Sequence, residues 1–170
     1  MLHLMLLRHG KSDWDADLGD DHTRPLAPRG VRSARAIGIA VRDRDIVPAL
    51  VVSSTAVRAR STAELARVAG GWSSRLVLDD DLYGASVADV LEVAARHGAA
   101  HRRVMLVGHQ PTWGLTVRAL TGGSVDVRTG TLVDIELVAD TWPDIAGAPG
   151  SVVAVLQPRA LLEHDEADDE

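Results

Sequence analysis

Four residues of this sequence carry side chains that together could transfer a phosphoryl group: His9, Arg8, Arg58 and His109. A neutral imidazole nitrogen can attack phosphorus when the other ring nitrogen is held by a hydrogen bond, which makes His9 a candidate nucleophile. The guanidinium forks of Arg8 and Arg58 match phosphate oxygens two at a time. A protonated His109 would donate to a phosphoryl oxygen and offset charge in the transition state. The set predicts catalysis through a phosphorylated His9.

The elements that must position these residues follow from hydrophobic periodicity. Apolar runs bounded by turn residues predict strands at residues 2–7, 49–53, 76–78, 104–107, 132–137 and 152–156. Helical spacing predicts helices at residues 28–44, 55–69, 86–96 and 111–120. Ser54 is expected to cap the second helix, and Pro111 is expected in the first turn of the fourth.

The order of these elements predicts an α/β fold, a layered sheet with helices on both faces. The last two strands have no predicted helix between them, which favours antiparallel pairing in part of the sheet. Ligands of such sheets bind beyond the carboxyl ends of the strands. Arg8 and His9 follow the first strand, Arg58 lies in the helix after the second, and His109 follows the fourth. We therefore expect all four side chains at one edge of the sheet.

Length and charge predict one domain and a short tail. The chain has 170 residues, which suits a single domain. Six of its 24 acidic residues lie after Leu162, and without them acidic and basic residues are equal in number. We predict a folded domain over residues 1–162 and an acidic, disordered tail over residues 163–170.

Composition also excludes several classes of function. The sequence has no cysteine, which excludes disulfides, thiolate catalysis and cysteine-bound metals and suits the cytoplasm. No apolar run approaches the roughly 18–20 residues that a membrane-spanning helix needs. The balanced charge leaves no broad basic surface for nucleic acid, so we expect at most a local anion pocket.

Three motifs, in this order along the chain, resemble those of the histidine phosphatase (phosphoglycerate-mutase-like) superfamily. They are Leu7-Arg8-His9-Gly10-Lys11-Ser12, then Ser53-Ser54 with Arg58-Ala59, then Val107-Gly108-His109-Gln110-Pro111. The short length, Lys11-Ser12, Arg24-Pro25-Leu26 and Arg29-Gly30 are similar to the SixA-type phosphohistidine phosphatase branch. The resemblance covers residues 2 to about 160.

The resemblance implies a three-layer αβα sandwich with a mostly parallel central sheet. It implies that His9 is the phosphorylated residue and that Arg8, Arg58 and His109 complete the pocket. Lys11 and Ser12 would lie beside the pocket and contact the substrate. No metal and no cofactor is implied. The partner would be a protein that carries phosphohistidine or a small phosphorylated metabolite.

A general acid is the part of the mechanism that the sequence leaves open. Many members of the superfamily carry an acidic residue that protonates the leaving oxygen, commonly just before a Tyr-Gly-like segment. Here Asp80 and Asp81 precede Tyr83-Gly84. A run of aspartates between a strand and a helix is also typical of a solvated turn. The acid is therefore Asp80, Asp81 or neither.

Three functions remain compatible with these residues. The first is a phosphatase for phosphohistidine or a small phosphomonoester. The second is a phosphoglycerate mutase, although 170 residues leave little room for the insertions that enclose a mutase substrate. The third is a phosphate-binding module without catalysis, which would not need the nucleophile His9.

Overall fold

The computed structural model of the protein describes residues 1–16 and 19–168, with side chains described as far as residue 163. The strands are β1 (Leu2–Arg8), β2 (Leu50–Ser53), β3 (Arg75–Leu78), β4 (Arg103–Gly108), β5 (Leu132–Leu137) and β6 (Gly150–Leu156). The helices are α1 (Pro28–Asp43), α2 (Val57–Gly70), α3 (Val87–Gly98), α4 (Thr112–Thr121) and α5 (Pro158–Asp168). Two short 3₁₀ helices, Asp80–Leu82 and Trp142–Gly147, were not predicted from the sequence.

The strands form one sheet in the order β3-β2-β4-β1-β5-β6. The pairs β1/β4, β2/β3 and β2/β4 are parallel, whereas β5 runs antiparallel to both β1 and β6. The antiparallel part lies where the sequence lacks a long helix between strands, as predicted. Because β1, β2 and β4 run in the same direction, the residues that follow them emerge at one edge.

Helices cover both faces of the sheet, which gives the predicted three-layer αβα sandwich. Alternate residues of β1 point to opposite faces, as the pleat requires. Leu4 and Leu6 join a buried cluster with residues of α3 and α4. Met5 and Leu7 join a second buried cluster with residues of α1 and α2. The strands in the middle of the sheet are thus held from both sides.

Two local predictions about helix starts were wrong. Helix α2 begins at Val57, and its N-cap is Ala56 rather than Ser54. The Ser54 hydroxyl instead accepts a hydrogen bond from the backbone N–H of Ala56 at 3.2 Å, in the turn before the helix. Helix α4 begins at Thr112, and Pro111 is its N-cap after a cis peptide bond.

The C-terminal segment contains a further helix, α5, that was not predicted from the sequence. It begins at Pro158 and continues to Asp168. Arg159 pairs with Glu163 one turn later, with the Nε and Oε1 atoms 2.9 Å apart. The side chains of residues 164–170 lie outside the described residues, so the domain boundary at residue 162 stays a prediction.

Within residues 1–16 and 19–168, no helix is both long enough and apolar enough to cross a membrane.

Candidate active site

The four predicted residues line a single cleft at the carboxyl edge of the parallel strands. The cleft has a volume of about 500 Å³, and Arg8, His9, Arg58 and His109 all face it. Lys11 and Ser12 line it as well. The imidazole rings of His9 and His109 lie 5.3 Å apart, centroid to centroid. Residues as far apart in the chain as Arg8 and His109 therefore lie together at the edge of the sheet where they were expected.

His9 is held in one orientation and is neutral in the ligand-free cleft. Its Nδ1 lies 2.7 Å from the carbonyl oxygen of Gly10, and the neutral ring donates its proton there. Burial, followed by the charges of the Arg58 and Arg8 guanidiniums, lowers the pKa of His9 to about 4, against the opposing effect of the Gly10 carbonyl. The Nε2 lone pair is therefore the free one.

Close backbone packing fixes the turn that carries His9. The N–H of Gly10 donates to the Thr62 hydroxyl at 3.0 Å, and that hydroxyl donates to the Arg58 carbonyl at 2.7 Å. A Cβ on Gly10 would lie 2.7 Å from the carbonyl oxygen of Gly30, and one on Gly30 would lie 2.2 Å from the carbonyl oxygen of Lys11. Both positions therefore need glycine. These contacts hold the turn at His9 against α1, and the Thr62 hydroxyl holds it against α2.

Arg58 is almost fully buried and is aligned by Asp21. Its Nη1 donates to the Asp21 backbone carbonyl at 2.7 Å, and its Nη2 donates to the Asp21 carboxylate at 3.0 Å. Its Nε is buried and has no hydrogen-bond partner among the described residues. Arg58 lies in the first turn of α2, where the helix dipole also favours an anion.

Arg8 provides the second guanidinium of the cleft. Its Nη1 donates to the Val127 carbonyl at 3.1 Å, and its Nε also finds no partner within the described part of the chain. Burial lowers the pKa of Arg8, and the Asp126 carboxylate opposes that effect. A buried donor without an acceptor costs stability, so such donors are suited to a bound anion.

Asp21 is a site residue that the sequence reasoning missed. Its carboxylate accepts hydrogen bonds from the Tyr83 hydroxyl at 2.7 Å and from Arg58, and it pairs with Arg24 at 2.8 Å. The hydrogen bond from Tyr83 and the charge of Arg58 lower the pKa of Asp21 to about 2, against the opposing effect of burial. Asp21 is therefore ionised and positions the cations around it.

Arg24 adds a third guanidinium to the cleft. Its Nε donates to the Ser12 hydroxyl at 3.1 Å, and its guanidinium carbon lies 3.5 Å from the centre of the Trp14 ring. Ser12 also forms an isolated antiparallel bridge with Leu26. In the sequence, the segment Arg24-Pro25-Leu26 stands out only by its resemblance to the SixA-type branch. That resemblance is the signal from which Arg24 could have been predicted as a site residue.

The pKa of His109 is lowered in this cleft. Burial, followed by the charges of the neighbouring His9 and Arg58, brings it to about 3. Its Nε2 lies 2.9 Å from the Ser54 hydroxyl, and its ring meets the Tyr83 ring edge-on at 5.7 Å. His109 is therefore neutral near neutral pH, because a further positive charge among the arginines is unfavourable.

The two candidate general acids do not line the catalytic cleft. The Asp80 carboxylate accepts a hydrogen bond from Thr55, and Asp81 pairs with Arg96 at 2.9 Å. Their neighbour Asp79 accepts hydrogen bonds from Arg96 and caps the 3₁₀ helix through the N–H of Asp81. These contacts are typical of the second possibility given by the sequence, in which the run of aspartates forms a turn.

The cationic side chains of the cleft suit a bound anion, and the described residues that line it do not form a set of metal ligands. Within the described residues, no group of three or more histidine, aspartate or glutamate side chains could hold a metal ion. Asp21, the carboxylate that lines the cleft, is engaged by Arg24, Arg58 and Tyr83.

Comparison with known sequences identifies the family. The model of the histidine phosphatase superfamily (branch 1) matches residues 4–83. An uncharacterized protein of Mycobacterium tuberculosis is 39% identical over 106 residues, which covers 62% of this chain and 64% of that protein. The match thus spans less than two thirds of this relative's length. An uncharacterized protein of Mycobacterium leprae is 34% identical over 167 residues, covering 90% of this chain and 100% of that protein.

Solved structures give the same assignment. A protein assigned as phosphohistidine phosphatase SixA from Nakamurella multipartitia is similar with a TM-score of 0.80 and 30% identity, over 92% of this chain and 96% of that one. A protein with the same assignment from Agrobacterium tumefaciens is similar with a TM-score of 0.77 and 28% identity, over 92% and 98% of the chains. Together with the cleft geometry, these matches show that the chain belongs to the histidine phosphatase superfamily.

Proposed function

We propose that this protein hydrolyses phosphohistidine, in a phosphorylated protein or an equally reactive small phosphoryl compound, through a covalent intermediate on His9. The observation that carries the proposal is the state of the His9 ring. Its Nδ1 is engaged by Gly10, its pKa is lowered to about 4, and it faces a cleft with cationic side chains. A neutral, oriented imidazole next to anion-binding groups is the arrangement that nucleophilic attack on phosphorus needs.

In the first step the Nε2 lone pair of His9 attacks the phosphorus atom. The bond between phosphorus and the leaving nitrogen breaks, and its electron pair stays on that nitrogen. The substrate ring, which carries a proton from solvent on its other nitrogen, leaves as neutral imidazole. The guanidiniums of Arg8, Arg24 and Arg58 bind the phosphoryl oxygens, with the unpartnered Nε atoms of Arg8 and Arg58 as free donors. Such fixed positive charge stabilises a transition state whose charge is spread over the oxygens.

In the second step water attacks the phosphorus of phosphorylated His9. The bond from phosphorus to Nε2 breaks, its electron pair returns to the ring, and inorganic phosphate leaves after water has lost a proton to solvent. His109 faces the same cleft and donates from its ring to a phosphoryl oxygen. A bound phosphoryl dianion favours the charged imidazolium, so substrate binding raises the pKa of His109 from its ligand-free value.

The choice of phosphohistidine rests on the leaving group. The carboxylate in the cleft, Asp21, has a pKa of about 2 and carries no proton to donate near neutral pH. Expelling a serine alkoxide without a proton donor is difficult, because the parent alcohol is a very weak acid. Imidazole leaves far more easily, since its conjugate acid has a pKa near 6.5. The cleft therefore suits phosphohistidine and aryl phosphates.

A panel of substrates tests this proposal. The protein should turn over phosphohistidine and an aryl phosphate much faster than phosphoserine or 3-phosphoglycerate. His9→Ala should abolish turnover of every substrate, whereas His101→Ala, which changes a histidine outside the cleft, should retain it. Faster turnover of phosphoserine or 3-phosphoglycerate would favour an ordinary phosphomonoesterase or a mutase, and an inactive wild-type protein that binds phosphate would indicate a binding module.

A further inference from the structure

A second cleft, rich in basic residues, adjoins the catalytic cleft. It has a volume of about 240 Å³, and Lys11 and Thr129 line both clefts. Arg29, Arg128 and Arg159 also line it. We call it the basic cleft. Its cations come from four separate segments of a chain whose net charge is −6, so their convergence is a local feature.

The cations of the basic cleft differ in whether a carboxylate already neutralises them. Arg128 pairs with Asp126 at 2.8 Å, and Arg159 pairs with Glu163 at 2.9 Å. No ion pair is formed by Lys11 or Arg29 with any side chain that the structure describes. The two cations without an ion pair, Lys11 and Arg29, leave the basic cleft with an excess of positive charge.

Buried polar groups also point into this region. Thr131 lines the basic cleft and is fully buried, yet its hydroxyl oxygen has no hydrogen-bond partner among residues 1–16 and 19–163. Pro158 and Arg159, the first residues of the 11-residue helix α5, line the cleft as well, so a helix N-terminus faces it. Both features favour a bound anion.

The loop of residues 129–131, which lines the basic cleft, is hydrogen-bonded to the backbone of Arg8 and His9. The N–H of Gly130 lies 3.1 Å from the carbonyl oxygen of Arg8 and 2.9 Å from that of His9. Gly130 stands between Thr129 and Thr131, which both line the basic cleft. A group that occupies this cleft therefore lies next to a substrate whose phosphoryl group is at His9.

We propose that the basic cleft binds a carboxylate side chain of an acidic segment in the phosphorylated protein substrate. The proposal rests on the proposed function, since the acidic segment belongs to the same protein that carries the phosphohistidine. A carboxylate is the group with which two of the arginines that line this cleft, Arg128 and Arg159, pair within the chain. The cleft would thus select phosphohistidines that have acidic neighbours, mainly through a lower KM.

Binding of an acidic peptide without phosphate tests the cleft independently of catalysis. The probe is a dye-labelled peptide rich in aspartate and glutamate, measured by fluorescence anisotropy at low salt. Arg29→Glu should raise the Kd at least fivefold. Arg35→Glu is the matched control, because it makes the same charge change at an exposed position of α1 outside the cleft, and it should change the Kd less than twofold. Equal effects of the two variants would overturn the proposal.

Kinetics with two phosphohistidine peptides complete the test. For a peptide with acidic neighbours, Arg29→Glu should raise KM at least fivefold. For the same peptide with glutamine and asparagine at those positions, the change should be less than twofold. If Arg29→Glu raised KM for small bisphosphorylated compounds but for neither peptide, the acidic-segment proposal would be overturned. If neither peptide is hydrolysed but the acidic probe still depends on Arg29, the proposed function fails and the basic cleft stands.

Discussion

Both terminal nitrogens of Arg58 donate hydrogen bonds to Asp21, one to the backbone carbonyl at 2.7 Å and one to the carboxylate at 3.0 Å. The two residues are 37 positions apart in the chain, and the carboxylate also accepts from Tyr83. The contact fixes the plane of the guanidinium and turns its Nε away from Asp21. Arg58 is thereby oriented before any substrate arrives, so binding costs less reorganisation.

This relationship predicts that lysine cannot replace Arg58. A lysine ammonium keeps the charge but cannot bind Asp21 and a phosphoryl oxygen with one planar fork. Arg58→Lys should lower kcat/KM by about 10²-fold, the scale expected for losing one preorganised donor. Arg60→Lys, at an exposed position of the same helix, should change kcat/KM less than twofold. An Arg58→Lys variant with most of its activity would show that charge alone suffices.

The ionisation of the two histidines gives a second prediction, measured by NMR titration of the ligand-free protein. Because burial lowers both pKa values, the ring signals of His9 should shift with a midpoint at about pH 4 and those of His109 at about pH 3. Protonated His9 cannot attack phosphorus, so the fraction of competent enzyme should fall only as pH drops through about 4. Midpoints near the ordinary value of 6.5 would contradict this reading.

The aspartates beside Tyr83 supply a third prediction. Asp80 is bonded to Thr55 and Asp81 to Arg96, and neither lines the catalytic cleft. Asp80→Asn and Asp81→Asn should therefore each cost less than tenfold in kcat on phosphohistidine, well below the roughly 10²–10⁴-fold expected for a true general acid. Melting temperatures of both variants serve as the control for folding. A hundredfold loss in either folded variant would identify a dedicated acid.

Independence from metal ions is the fourth prediction. Three guanidiniums and a histidine line the cleft beside His9 and can supply the positive charge that metals supply elsewhere. Turnover of an aryl phosphate should survive dialysis against a chelator, and vanadate, which mimics the trigonal-bipyramidal phosphoryl group, should inhibit. Activity that disappears with the chelator and returns with magnesium or zinc would reverse this conclusion.

The position of the site residues at strand ends could be predicted from the sequence better than the position of those in loops. Arg8 ends β1, His9 follows it and His109 follows β4, and the apolar runs of both strands are unambiguous, so sheet topology alone brings these residues to one edge. Asp21 and Tyr83 come from irregular segments, and their contact across 62 positions depends on how those segments pack. Nothing in hydrophobic periodicity encodes such a contact.

The wrong local predictions have a common physical reason. Ser54 has a side chain typical of an N-cap, yet its hydroxyl is used in the turn before α2 and beside His109. Pro111 suits the first turn of a helix, yet proline also suits the turn before one, and here it is the N-cap of α4. In both cases the residue type permits two local structures, and tertiary contacts select one.

Chemical trapping of the intermediate tests the central claim most directly. The enzyme would be mixed with substrate labelled in its phosphoryl group, quenched in base within the first turnover, digested and mapped by mass spectrometry. We predict label on His9 that is stable to base and labile to acid, and no label in the His9→Ala variant. Label on an aspartate or serine, or an active His9→Ala enzyme without any labelled intermediate, would contradict the mechanism.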